Sequence, residues 1–224
     1  MRPAESRAGA RPVEIVLASS SPRRRELLAR AGVPFRAVSP DIDERPRRAE
    51  PPAAFAQRVA REKAAAVARR LGASRGPRRT IGCDTIVVLA GQILGKPRSA
   101  ADARRMLRRL SGRTHQVISG VAVLSEAPGR RPRTRSRAVA TEVRFRRLSE
   151  KEIRAYVASG DPMDKAGAYG IQEGAAHFVR WIRGSYSNVV GLPLVELLDL
   201  LHRAGGPPAA GSRRIGLGCT MPRG

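Results

Sequence analysis

EIVLASSSPRRRELLARAG, residues 14–32, is the stretch from which the fold can be read. Its first part, Ile15-Val16-Leu17-Ala18, is a short apolar run of the kind that makes a buried strand. Three serines and Pro22 follow, then a segment that sets Leu27, Leu28 and Ala31 on one helical face and stops at Gly32. Ser21 as N-cap with Pro22 at the first helical position starts a helix, and glycine after the last apolar residue ends it. The chain therefore leaves a sheet, turns, and enters a helix whose first turn carries Arg23, Arg24 and Arg25. A helix start exposes unpaired N–H groups and a partial positive charge, so three cations there are unfavourable unless an anion sits among them. A phosphate would satisfy the serine hydroxyls, the N–H groups and the guanidinium forks together. The plainer alternative is a surface turn in a protein rich in arginine.

The 224 residues suit one α/β domain, with 42% hydrophobic residues to supply its core. The expected organisation is a lead-in over 1–12, a single two-lobed catalytic domain over 13–204, and a tail over 205–224, both ends disordered. No run approaches the ~20 apolar residues that span a bilayer, and the N-terminus lacks the apolar stretch of a secretory signal. The expected compartment is the cytoplasm. Cys83 and Cys219 have no metal-ligand spacing and suggest no disulfide framework.

A net charge of +24 invites a nucleic-acid reading. Against it, aromatic residues make up only 4% of the chain, and the arginines read as scattered rather than striped. Only four of the 43 basic residues are lysines: Lys63, Lys96, Lys151 and Lys165. Where arginine is the default cation, a lysine marks a place for a compact, strongly hydrated point charge.

Along the chain, 33–38 reads as a second strand ending in the acidic cluster Asp41-Ile42-Asp43-Glu44. That cluster is either a solvated turn or a source of hard oxygen ligands for a divalent metal. Residues 51–71 form a helix with Phe55, Val59, Ala66, Val67 and Leu71 turned inward, and with Lys63 at a normally solvent-facing position. Residues 80–94 read as a strand, a tight turn at Ala90-Gly91 and a returning strand, with Asp84 interrupting the apolar run. A carboxylate there must be partnered, metal-bound or reactive. A capped helix starts at Ser99, 115–124 is a strand, 125–137 a Pro/Gly/Arg loop, and 138–148 an antiparallel strand. Ser149 and Glu152 make a capping box. The Gly-rich stretch 160–174, GDPMDKAGAYGIQEG, sets Asp164 and Lys165 together in a loop able to approach a ligand. A strand at 178–182, a turn at 185–190 and a helix opened by Pro193 complete the domain. There is no P-loop, no dinucleotide fingerprint and no nucleophile elbow.

The ordered set Ser19-x-Ser21-Pro22-Arg23-Arg24, Asp43-Glu44, Arg61-Glu62-Lys63-Ala64, Asp84-Thr85, Gly95-Lys96-Pro97, Ser111-Gly112 and Asp164-Lys165-Ala166-Gly167-Ala168-Tyr169-Gly170-Ile171-Gln172, with Gly191-Leu192-Pro193 after it, resembles the Maf family of nucleoside triphosphate pyrophosphatases. The resemblance runs from about residue 14 to residue 203. It implies an α/β chain with a two-lobed Maf/ITPase-like fold: an elongated mixed sheet flanked by helices, with a central cleft, often dimeric. It implies hydrolysis of a nucleoside triphosphate to monophosphate and pyrophosphate with Mg²⁺ or Mn²⁺. Asp84 matches the general base, and Glu44, Lys63 and Lys96 match the rest of the catalytic set, with Glu44 and Asp84 as the metal ligands. Arg23, Thr85 and Gln172 match the positions tied to substrate choice. The branch acting on dTTP and UTP carries the same three residue types there, and the branch acting on 7-methylguanosine triphosphate does not.

The chemistry fits this reading. In-line attack of water on the α-phosphorus needs positioning and charge neutralisation more than covalent catalysis. Arg23, Arg24 and the Ser19–Ser21 turn are expected to hold the triphosphate, with Asp164 and Lys165 also in the substrate site. Lys63, Lys96 and the metal balance charge, Asp84 orients or deprotonates the water, and Gln172 offers donor and acceptor to a pyrimidine edge. The rivals are a nucleotide-binding regulator of cell division and a basic nucleic-acid-binding protein without turnover.

Overall fold

The structure, a computed structural model, describes residues 12–205. The expected lead-in before residue 12 and tail after residue 205, with Cys219, lie outside the described residues. One mixed sheet carries the fold. Its order is β2 (Arg36–Val38), β1 (Glu14–Ala18), β3 (Arg78–Leu89), β5 (Thr114–Ala127), β6 (Arg130–Phe145) and β7 (Val179–Arg183), with β4 (Gln92–Leu94) paired to β3. β1 runs parallel to β2 and β3, and every other pairing is antiparallel. β2 is shorter than the expected 33–38 because Pro34 has no N–H to give a ladder; Val33 is buried instead among the helices.

Successive residues of a strand point to opposite faces. On β3, Gly82, Asp84, Ile86 and Val88 face α2 (Pro52–Leu71), where Phe55, Ala56 and Val59 pack on Ile86, Val88 and Ile118. The other face carries two apolar cores. One joins Ile81, Cys83, Val121 and Val123 to α1 (Pro22–Arg30) and α6 (Leu194–Arg203). The second joins Val87, Leu89, Val117 and Phe145 to α3 (Ala100–Leu110) and α4 (Glu150–Ala158). Between them on the same face lies a polar pair, Thr85 opposite Ser119. Polar side chains there break the apolar surface into two lobes and leave a hollow along the break.

α2 approaches the sheet backbone to backbone. A Cβ added to Gly82 would lie 1.9 Å from the Ala60 carbonyl oxygen, and one added to Gly120 would lie 2.0 Å from that of Ala56. The buried face of α2 is therefore Ala56, Ala60, Lys63 and Ala64 rather than the expected Ala66 and Leu71, which are half-buried. Lys63, expected in solvent, is buried on this contact face at 5% exposure.

Two further expectations change. Residues 125–137, read as a loop, are the end of β5, a turn at Pro128-Gly129 and the first half of β6. The β6 half is exposed on both faces and held by its ladder with β5, so it shows no apolar alternation in the sequence. The arginines of this segment are consequently in line rather than scattered. Residues 185–190, read as a turn, contain the short helix α5 (Tyr186–Val190), whose N-cap Ser185 accepts from the Asn188 N–H.

Candidate functional site

A cavity of about 770 Å³ opens between the lobes. Each of the twelve residues singled out in the sequence lines it. One wall is the turn from β1 into α1, with Ser19, Ser21, Arg23 and Arg24; the floor is Glu44, Lys63, Asp84 and Thr85. Lys96 and the Gly-rich loop, with Asp164, Lys165 and Gln172, close the far side.

The floor is built by the Gly82 contact. Ala60 rests on Gly82, which brings Lys63, one helical turn on, over Asp84, two strand residues on. Lys63 Nζ donates to Asp84 Oδ1 and to Glu44 Oε2, both at 2.8 Å. Asp84 is 6% exposed, and its Oδ2 has no protein donor among the described residues. Directly opposite Asp84 on β5 is Gly120, so no side chain crowds the carboxylate from that strand.

The turn wall is organised by Ser19, whose hydroxyl accepts from the Ser21 N–H at 3.1 Å. Ser21 occupies the N-cap position but makes no side-chain capping bond. Arg24 bends inward: Nε donates to the Gly191 carbonyl at 2.8 Å, one terminal nitrogen to Thr85 Oγ1 at 3.0 Å and the other to Ser19 Oγ at 3.4 Å. It clasps β1, β3 and the entry to α6. Thr85 Oγ1 also meets Ser119 Oγ at 2.8 Å, and Ser119 reaches the Asn188 carbonyl at 3.4 Å.

Across the mouth, Arg23 pairs with Asp164 at 3.3 Å and Glu173 at 3.6 Å. Lys165, buried, donates to the Asp161 carbonyl at 2.5 Å and to Asp164 at 2.8 Å, and forms an ion pair with Glu173 at 2.7 Å. The ammonium is thus held by polar groups of the loop itself. Burial pushes the Asp164 carboxyl up, but the hydrogen bond from Lys165 and the charge of Arg23 together hold it below its usual range. The amide of Gln172 is exposed at the cavity.

The match with known proteins is direct: the model of the Maf-like protein family covers residues 14–204. The chain belongs to that family. A curated relative from Geobacter sulfurreducens named dTTP/UTP pyrophosphatase is 56% identical over 191 residues, 85% of this chain and 96% of the relative. One of the same name from Anaeromyxobacter dehalogenans (strain 2CP-1) is 52% identical over 193 residues, 86% and 95% of the two chains. A solved nucleoside-triphosphatase / dITP/XTP pyrophosphatase from Mycobacterium abscessus superposes at TM-score 0.36 with 16% identity, over 86% of this chain and 94% of that one, too distant to carry an argument.

Sequence reasoning missed four contributors to this Maf-like site. Glu173 completes the charged mouth; its signal was an acidic residue in a Gly-rich loop of a chain with only 19 acids. Ser119 backs Thr85 from inside an apolar strand. Gly82 and Gly120 admit α2, and nothing local marks them apart from other glycines. Behind the loop, His115 Nε2 and the Tyr169 hydroxyl lie 2.8 Å apart, and burial pushes the imidazole down to about 4.

For a divalent cation, Glu44 and Asp84 offer hard oxygen donors lining the same cavity. Among the described residues no group of three or more His, Cys, Asp or Glu converges. Mg²⁺ commonly takes one or two carboxylates and completes its shell with water and substrate phosphate, so this donor pair fits a cation that arrives with a triphosphate. The two carboxylates exceed the charge of the Lys63 ammonium between them by one.

Proposed function

We propose that this chain hydrolyses dTTP and UTP to the monophosphate and pyrophosphate, the activity named for its relatives. The observation that carries the reading is the Lys63 ammonium bonded to both Asp84 and Glu44 on the floor of a hollow walled by the arginine-bearing turn. Asp84 uses one oxygen to hold Lys63 and keeps the other for the attacking water, which it orients or deprotonates. Lys63 and Lys96 neutralise charge that grows on the departing pyrophosphate. Glu44 and Asp84 would hold Mg²⁺ or Mn²⁺, which supplies electrostatic stabilisation to the phosphoryl oxygens.

The hydrogen bonds refine the other roles. Arg24 and Lys165 brace the walls: Arg24 commits three of its five N–H groups to Gly191, Thr85 and Ser19, and Lys165 is tied to Asp161, Asp164 and Glu173 of its own loop. Arg23 and the free N–H groups at the start of α1 remain for the phosphates, with Arg23 exchanging its carboxylate partners for the substrate. Gln172 offers an unengaged amide to the base edge. Thr85, fixed by Arg24 and Ser119, sets the shape of the base pocket. A site that hydrogen-bonds one base leaves buried polar groups unpaired with another, which is the source of selectivity.

Among the described residues no helix is long and apolar enough to cross a membrane, and a nucleotide substrate assigns the work to the cytoplasm. The test is product analysis: purified protein with Mg²⁺ should release pyrophosphate and UMP from UTP. Orthophosphate as first product would make it a phosphatase instead.

A further inference from the structure

Residues 130–141 of β6 form a free margin of the sheet. β5 lies along one side, and β7 reaches only residues 142–145 on the other. The ladder from Val121 to Ser125 is unbroken, so Arg137, Arg135 and Arg133, opposite Val121, Val123 and Ser125, project from one face in a row. All three are exposed, as are Arg130 and Arg131 near the turn. None of the five guanidinium groups has a hydrogen-bond or ion-pair partner among the described residues. Some arginines elsewhere are held by carboxylate oxygens, as Arg58 is by Glu50 and Glu62, Arg78 by Glu126 and Arg108 by Glu150.

Alternate residues on a strand stand about 6.7 Å apart. Like charges at that distance repel by about 0.6 kcal/mol per neighbouring pair in water before salt screens them. An anion removes that repulsion, but one phosphate cannot reach every guanidinium of the row, whereas a chain of phosphates can. The segment RRPRTRSRAVAT, residues 130–141, has no aromatic side chain to stack on bases and no bulky apolar group to enter a membrane. Charges on an edge also discourage pairing between copies, which does not require three on one face. None of these arginines lines the cavity between the lobes.

We propose that this margin docks on the sugar–phosphate backbone of nucleic acid, without reading its sequence, as a surface separate from the nucleotide-hydrolysing site. The test uses the full chain and a fluorescent duplex DNA oligonucleotide of mixed sequence, with anisotropy read across a salt series. Arg133→Ser/Arg135→Ser/Arg137→Ser should weaken binding at least roughly tenfold and flatten the plot of log affinity against log salt by about 2.7, the share of three phosphate contacts. Arg48→Ser/Lys151→Ser/Arg154→Ser removes the same charge from exposed positions elsewhere and should cost less than about threefold. Both triple variants should turn over UTP as the parent does. If the stripe variant folds poorly, Arg135→Ser alone should flatten the slope by about 0.9. Equal losses from the two triple variants would assign the affinity to net charge and overturn the proposal, as would a parent that does not bind. Stripe-dependent binding to anionic phospholipid vesicles without binding to DNA would also overturn it.

Discussion

Lys63 Nζ lies 2.8 Å from Asp84 Oδ1, and both side chains are nearly shut off from water. Neutralising the acid and removing the base of this pair are unequal changes. Asp84→Asn keeps an acceptor for Lys63, which still has Glu44. The variant should fold with a near-parental melting temperature and lose roughly 10²–10⁴-fold in kcat. Near-full turnover would remove Asp84 from the mechanism. Lys63→Met leaves Asp84 buried without its cation and should cost about 3–5 kcal/mol in denaturant unfolding. An unchanged midpoint would mean that Asp84 is not held by Lys63.

Gly120→Ala should act on activity from a position with no chemistry of its own. The new methyl would lie 2.0 Å from the Ala56 carbonyl oxygen, so α2 must lift from the sheet. Overpacking of this kind costs about 1–3 kcal/mol, occasionally more. Because α2 carries Lys63, the loss in kcat should exceed any change in KM. A variant with parental stability and kcat would show that the helix contact does not set the floor of the cavity.

In the proposed mechanism Glu173, paired with Arg23, competes with substrate for it. Glu173→Gln removes one acidic partner from Arg23 and one from Lys165. The KM for UTP should fall roughly two- to tenfold while kcat stays near the parental value, the pattern of a change in uniform binding. A rise in KM would show that Glu173 supports the bound state.

His115 makes stability depend on pH in a defined window. Burial lowers its folded value to about 4 from the ordinary 6.5. Between those values the unfolded chain binds a proton that the native chain refuses, so stability falls as pH drops from 6.5 towards 4. Glu50 and Glu152, each held down to about 2 chiefly by hydrogen bonds from Arg58 and Arg146, add their loss only below about 4.5. His115→Gln keeps a polar partner for Tyr169 but does not titrate. It should remove about 2–3 kcal/mol of the difference in unfolding free energy between pH 6.5 and 4.5. An unchanged slope would assign the acid sensitivity to other groups.

What could be read from the sequence was what local chemistry writes into it. The Ser-Pro start of α1, the Ser149 capping box and the Ala90-Gly91 turn each lie within a few residues, and each is present as expected. The residues that line the cavity were legible through their ordered motifs, although they come from segments far apart in the chain. The burial of Lys63 was not legible, because it depends on Gly82 admitting a helix formed by another stretch. Nor was the pairing of residues 125–137, whose ladder bonds leave no trace in side-chain polarity. The bracing by Arg24 and Lys165 was hidden for a related reason: a motif marks a position without saying which acceptors its donors meet.

On β3 the neighbours Asp84 and Thr85 answer to different layers of the protein, the first to α2 and the second to Arg24 of α1 and to the Gly191 carbonyl that ends α5. The strand presents both to one cavity from its two faces. In the proposed mechanism, remodelling the part that meets the base means altering Arg24, Thr85, Ser119 and the segments behind them, while Lys63 and Asp84, on the face turned to α2, keep their helix, their register and their spacing. That mechanism lets a substitution change which base is accepted while the group that meets the phosphate stays intact.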